Sequence, residues 1–396
     1  MRALFTCLPQ LAHFLPLTPI ARAMAEAGHD VAFGTPDSFR PAVEAAGFRW
    51  VRAGVENDDP EMAAVWARFL DLRGLDQSKF VYEQIIGGVR PRRMVPDLLL
   101  LAESWKPEVV VHDSLECGAV IAAERLNIPH AKLEVHATGV RPRHTPMLYE
   151  PLQRVRTTFG LPARPIQALM DEYLVLAPFP ASLNLLDAPI APTTHHFRGL
   201  PADDTAGGLP AWIDAIDSRP LVYVSMGTSF SVFRGREIFS KLLEGLSDLD
   251  AEIIVTIGND LDPATLGAQP ENVHLERFLP LAALLPRCSL VVFHGGSGTL
   301  GHVIANGLPM VILPLGADQP ENAQRCAELG ASRTLDQENL TPKHIREVVI
   351  DVLHTPSYRQ AAERLRNEFD DLSGPELAVE LLERLARDKV PIIASR

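Results

Sequence analysis

Short continuous apolar runs alternate along this chain with longer stretches whose apolar residues recur at helical spacing, a pattern that predicts parallel α/β units. Residues 3–7, 30–34, 109–112 and 130–135 read as buried strands. Between them, 15–27, 39–46 and 117–126 read as helices, the first two stopped by Gly28 and Gly47. A second series follows, with strands predicted at 221–225, 252–257, 273–275, 290–293 and 310–314, and closing helices at 356–369 and 375–385. Residues 55–100 and 138–170 break the rhythm and carry scattered aromatics, among them Trp66, Phe69, Phe80, Tyr82 and Tyr149. Such excursions usually sit above the carboxyl ends of the strands, where α/β folds bind ligands. Residues 201–210, with Asp203, Asp204, Gly207 and Gly208, have the composition of an interdomain linker. The pattern predicts two doubly wound domains with a cleft between them.

Composition narrows the class. At 396 residues the chain exceeds the size at which a single core stops growing. It has no apolar run of 18 or more residues, so no membrane span is expected. The first twenty residues resemble a signal peptide, but Gln10, His13 and three prolines interrupt any apolar core, and a cytoplasmic location is expected. A net charge of −13 without a basic stripe argues against nucleic acid as a partner. Cys7, Cys117, Cys288 and Cys326 are scattered without metal-ligand spacing, His195-His196 has no acidic or cysteine partner at ligand spacing, and no metal site is expected. Asp260-Leu261-Asp262 reads as a solvated turn.

The chemistry concentrates in His294-Gly295-Gly296-Ser297-Gly298-Thr299, which follows the predicted strand 290–293 and opens a helix. A strand turning through glycines into a helix aims free backbone N–H groups and the positive end of the helix dipole at one point. Ser297 and Thr299 add hydroxyls and His294 a ring nitrogen, which makes a phosphate cradle. Residues 296–301 also spell the dinucleotide fingerprint, so a nicotinamide-dependent dehydrogenase is the competing reading. Its late position in the chain and the preceding histidine count against that. Asp318-Gln319, after the next strand, offers two acceptors and an amide donor suited to adjacent sugar hydroxyls; Asp318 could instead simply cap the following helix. The loop 225–229 brings Gly227 and Thr228 to the same end of the sheet. In the first half, His13 lies on the loop after the first strand and Asp113 at the end of a strand expected beside it. A histidine whose second nitrogen is held by a carboxylate is a general base.

Residues 276–331, ERFLPLAALLPRCSLVVFHGGSGTLGHVIANGLPMVILPLGADQPENAQRCAELGA, carry a specific resemblance to the family 1 glycosyltransferases, and the likeness runs nearly the full length. The chain is most similar to the bacterial branch that glycosylates macrolides, aromatic polyketides and enediynes. The resemblance implies the GT-B fold: α/β, two Rossmann-like doubly wound parallel-sheet domains facing across a cleft. It implies an acceptor-binding domain over 1–205, a linker over 206–217, a nucleotide-sugar-binding domain over 218–374, and a helix over 375–396 returning to the first domain. Donor-binding positions then fall on Thr228, Phe278, His294, Gly296, Ser297, Gly298, Thr299, Asp318 and Gln319, with Asn322 nearby. His13 is the implied acceptor-activating base and Asp113 its orienting carboxylate. Trp66, Phe80 and Met147 are candidates for the acceptor pocket.

The implied activity is inverting, metal-independent transfer of a sugar from a dTDP- or UDP-sugar to a hydroxyl of a hydrophobic aglycone, by a monomer or homodimer with no cofactor. Plant members have tryptophan where this chain has Phe278, glutamate where it has His302, and glutamine where it has Leu281. That glutamate binds both ribose hydroxyls, so its replacement makes a deoxyribose donor at least as plausible as a ribose one. Besides the dehydrogenase, a non-catalytic auxiliary protein on the same fold is the alternative.

Overall fold

The computed structural model describes residues 1–72, 74–139, 145–199, 208–216, 219–227, 231–259 and 261–394, without the side chains of 215 and 231–235. The chain divides into two compact units, one comprising Met1–Phe179, Leu186–Pro201 and Ser373–Arg396, the other Pro180–Leu185 and Ala202–Leu372. Of the expected linker, 206–217, residues 208–216 are described and hold the short turn Ala211–Ala215; the rest lies outside the described residues.

In the first unit the described strands are β1 (Arg2–Thr6), β2 (Asp30–Thr35), β3 (Arg49–Arg52), β4 (Val109–Asp113), β5 (His130–Leu133), β6 (Leu174–Ala177) and β7 (Thr194–His196). They form one parallel sheet in the order β3-β2-β1-β4-β5-β6-β7. Side-chain alternation splits its residues between two cores. Phe5, Phe33, Val111 and Leu133 face Ile20 and Met24, whereas Leu4, Ala32 and Val110 face Val95 and Leu98 of the helix Arg90–Trp105 and Val120 of the helix Cys117–Leu126. With both faces covered the strands carry little polar residue, which is why they read as continuous apolar runs.

The helix Pro375–Asp388 belongs to this first unit, where it packs on the helix Thr18–Glu26. Ala378, Leu381, Leu382 and Leu385 recur at helical spacing and complete the core under β1 and β4.

The second unit contains β8 (Leu221–Ser225), β9 (Glu252–Thr256), β10 (Val273–Glu276), β11 (Leu290–Phe293), β12 (Met310–Ile312) and β13 (Ser332–Thr334). They too are all parallel, in the order β10-β9-β8-β11-β12-β13. Val222, Val224, Ile253, Val255, Val292 and Val311 face Leu242 and Leu246 of one helix and Ile345, Val348 and Val352 of another.

In each sheet the strand order reverses once, between β1 and β4 and between β8 and β11. The crevice beyond the carboxyl ends of strands at such a reversal is where open α/β sheets take their ligands. β3, β7 and β13 were not predicted from the sequence. All three lie at sheet edges and are short and polar (Arg-Trp-Val-Arg, Thr-His-His, Ser-Arg-Thr), so no apolar run marks them. β6, Leu-Val-Leu-Ala, is fully buried but only four residues long, too short for periodicity to separate strand from helix. The excursion at 55–100 is largely helical, through Pro60–Leu70, Gly74–Phe80, a wide-turned segment Val81–Val89, and Arg90–Trp105.

Candidate functional site

At the reversal of the first sheet, β1 ends at Thr6 and the chain turns into the single helical turn Leu11–Phe14, which carries His13. Asp113 is the last residue of β4 and fully buried. Its carboxylate accepts the backbone N–H of Leu8 at 2.7 Å and of Leu115 at 2.6 Å. His13 Nδ1 stands 3.3 Å from Asp113 Oδ1, at ion-pair distance but off the line a hydrogen bond needs. Burial alone would raise the Asp113 pKa; His13 and the two amides outweigh it and hold the carboxyl below its ordinary range. An ionised carboxylate is thereby fixed on Nδ1, which leaves Nε2 as the nitrogen available to a substrate.

His112 is turned to the opposite face. It meets the Asp113 carbonyl at 2.9 Å and His130 Nδ1 at 3.1 Å, and burial pushes its pKa down to about 4. It is a neutral core histidine.

Beyond the ends of β4 and β5, also within the first unit, lies a cavity of about 50 Å³ lined by Tyr82, Leu115, Leu148, Ile166 and Met170 on its apolar side. Ser114, Lys132, Glu134, His136 and Gln167 are among its polar lining. Trp66, Phe80 and Met147 are not in this wall. Trp66 packs edge-on to Phe69 at 5.2 Å and against the small cluster around Met62 and Ile85. Phe80 lies under the Arg68 guanidinium at 5.5 Å, and Met147 packs on the core beside Leu148. Sequence reasoning missed the polar wall, although a signal existed: Lys132, Glu134 and His136 recur at the two-residue period of a strand whose neighbours are apolar.

At the reversal of the second sheet, β11 runs into His294 and Gly295, and the helix Ser297–Ala305 begins with Gly296 at its N-cap. Gly295 has φ +89°, and a Cβ there would lie 2.7 Å from Ile312 Cγ2, so only glycine fits. His294 is buried, with its ring against two glycines. A Cβ on Gly227 would come within 2.7 Å of Nε2, and one on Gly296 within 2.5 Å. Burial, against the pull of Asp318, pushes the His294 pKa down to about 4, so the unliganded ring is neutral at pH 7. Gly298 is exposed and a Cβ on it would meet nothing within 4 Å, which leaves open space in front of the first helical turn. Thr228 lies outside the described residues, as does Asp260; Asp262 caps the short turn Pro263–Leu266.

Asp318 stands at the N-cap position of the helix Gln319–Glu328 yet makes no capping hydrogen bond there. Its Oδ2 instead accepts from Ser297 N at 3.1 Å, from the Ser297 hydroxyl, and from Asn322 Nδ2 at 3.0 Å. Asn322, wholly buried, also donates to the Gly295 carbonyl at 2.8 Å and ties the glycine turn to the acid. Gln319 accepts from the amides of Leu315 and Gly316 at 2.7 and 3.1 Å. The aromatic ring of Phe278 is 63% exposed just past β10, open to a stacking partner. Among the described residues no three His, Cys, Asp or Glu side chains gather as metal ligands.

Two doubly wound parallel sheets of this kind, one with a histidine–carboxylate pair and the other with a glycine turn opening a helix, are the two halves of a GT-B fold. The N-terminal domain model of the Erythromycin biosynthesis protein CIII-like family matches residues 22–226 and its C-terminal domain model residues 240–385. The chain belongs to this family, among the family 1 glycosyltransferases of bacterial natural products. It is 30% identical to tylactone mycaminosyltransferase of Streptomyces fradiae over 97% of this chain and 92% of that protein. It is 28% identical to the 3-alpha-mycarosylerythronolide B desosaminyl transferase of Saccharopolyspora erythraea, over 98% of each. Among solved structures, the glycosyltransferase VinC in complex with dTDP superposes with a TM-score of 0.80 at 27% identity, covering 98% of this chain and 100% of that one. The dinucleotide reading of residues 296–301 gives way to that membership.

Proposed function

We propose that the protein transfers a sugar, with inversion, from a nucleoside diphosphate sugar to a hydroxyl of a hydrophobic aglycone. The observation that carries this reading is the His13–Asp113 pair at the reversal of the first sheet. His13 Nε2 takes the acceptor proton, and Asp113, kept ionised, holds the ring and stabilises the imidazolium that forms. The freed oxygen attacks the anomeric carbon from the side opposite the leaving diphosphate. Charge growing on the diphosphate is met by the N–H groups of Gly298 and Thr299, the helix dipole and a hydrogen bond from His294, donors that need no metal. Asp318 and Gln319 read the sugar, and Phe278 supports the base. The dTDP bound to VinC and the absence of a ribose-reading glutamate at His302 favour a dTDP-sugar over a UDP-sugar.

His13→Ala tests the reading. With an aliphatic alcohol acceptor, turnover is expected to fall on the order of 10²–10⁴-fold while dTDP binding, followed by calorimetry, stays within twofold. Near-normal transfer by the variant would sink the base assignment. An acidic phenol is a poor acceptor for this purpose because it ionises unaided.

A further inference from the structure

The cavity wall of the first unit holds a second pair built like the first. His136 Nδ1 stands 3.3 Å from Glu134 Oε1, the same separation as in the His13–Asp113 pair. Glu134 is buried, and its other oxygen, Oε2, lies 3.4 Å from Lys132 Nζ. Lys132 in turn bonds Asp171 at 2.6 Å, and Gln167 secures the far oxygen of Asp171. Burial would raise the Glu134 pKa, but Lys132, His136 and Ser114 bring it down to about 2. Nothing in the proposed sugar transfer uses these groups.

Their placement follows from the sheet. Asp113 at the end of β4 pairs in register with Leu133 at the end of β5. Glu134 is therefore one residue beyond the partner of Asp113, and Ser114, next to Asp113, receives the Val135 N–H at 3.5 Å. Two carboxylate-held histidines thus stand at the carboxyl ends of neighbouring strands. A lysine and two carboxylates buried together are costly to desolvate. Here they fix one ring: with Nδ1 held by Glu134, the His136 edge left to a ligand is Nε2. The open volume, about 50 Å³, is on the scale of one hydroxylated ring edge rather than of a whole polyketide.

We propose that His136, positioned by Glu134, is an acceptor-orienting residue: it hydrogen-bonds a second oxygen function of the aglycone, distinct from the hydroxyl that His13 deprotonates. This rests on the reading of the first unit as the acceptor-binding unit. The ligand class is a polyoxygenated hydrophobic molecule, whose second hydroxyl or carbonyl meets Nε2 while its apolar body contacts Leu148, Ile166 and Met170.

The test is binding without turnover. Tylactone, aklavinone and, at millimolar concentration, phenol are titrated into the wild-type protein, His136→Phe and His136→Gln, with dTDP binding and the melting temperature followed in each. At least one probe is expected to bind the wild type, to lose 10-fold or more in affinity in His136→Phe, and to recover most of it in His136→Gln, whose amide can replace Nε2. The dTDP affinity and melting temperature are expected to stay put. Equal affinity in the wild type and His136→Phe would overturn the proposal, as would failure of all three probes to bind the wild type. Aglycone binding that depends on His136 in a protein transferring no sugar would leave this inference standing and sink the proposed reaction instead. Transfer with an aglycone affinity indifferent to His136 would do the reverse.

Discussion

The two units place their chemistry at the same point of the same topology, yet assemble it in opposite ways. In the second unit the cradle is contiguous: six consecutive residues, 294–299, supply the ring, the glycines, the hydroxyls and the helix start. In the first unit His13 and Asp113 are a hundred residues apart in sequence and meet because β1 and β4 pair, with Thr6 opposite His112. A contiguous site is specified by local backbone geometry. A dispersed one is specified by strand order, which short-range pattern does not encode. The first should therefore fail through backbone crowding and the second through loss of a single side chain.

The largest effect that sharpens this contrast is the loss of turnover in His13→Ala, which should leave the nucleotide site intact. Next comes the joint that closes the first unit. Leu382 is fully buried in the core under β1, and Leu382→Ala is expected to cost about 2–5 kcal/mol, read by urea denaturation. A change below about 0.5 kcal/mol would show that the C-terminal helix is not part of that core. In the second unit, Gly296→Ala sets a methyl 2.5 Å from His294 Nε2 and must displace the ring. On the proposed role of His294 as a donor to the diphosphate, losing that one charge-assisted hydrogen bond is expected to weaken dTDP binding roughly 10–100-fold. Unchanged binding would remove His294 from the diphosphate site.

The smallest expected effect is a pH slope in stability. His112 and His294 both have folded pKa values near 4, below the unfolded value of 6.5. Between those values the unfolded chain binds more protons, so stability is full above pH 6.5 and is lost as pH falls towards 4. His294→Gln is expected to flatten the slope between pH 4 and 6.5 relative to wild type, measured as urea midpoints across that range. An identical slope would mean that His294 is not held neutral by burial.

Much of the fold is legible because buried parallel strands are continuous apolar runs. The helix Cys117–Leu126 and the strands Leu221–Ser225 and Leu290–Phe293 coincide with their sequence predictions to the residue. Edge strands β3, β7 and β13 were silent because one side of each pairs with nothing and tolerates polar residues. At the glycine turn the sequence shows the ring, the glycines and the acid, but not the bonds among them. That Asp318 reaches across to Ser297 instead of capping its own helix depends on the approach of β11 and β12, whose ends lie side by side through Phe293 and Ile312.

The acceptor-pocket candidates, two aromatics and a methionine, show the limit from the other direction. Trp66, Phe80 and Met147 stand out by size, whereas the described cavity is walled by Lys132, Glu134, His136 and Gln167 with Leu148 and Ile166. Aromatic residues are conspicuous in a sequence wherever they pack. A buried charge network looks like ordinary polar residues until the sheet brings its members together.

By itself the sequence determined the two-part α/β architecture, the family, and the glycine turn with its histidine, because each depends on residues within about one turn or strand of one another. Tertiary structure alone decided that Asp113 is anchored by the amides of Leu8 and Leu115, why only glycine fits at 295, and that His136, Glu134 and Lys132 join Asp171 in one buried network. Those relations are set by strand order and register, which bring residues as distant as Leu8 and Asp113, or Lys132 and Asp171, within 3 Å.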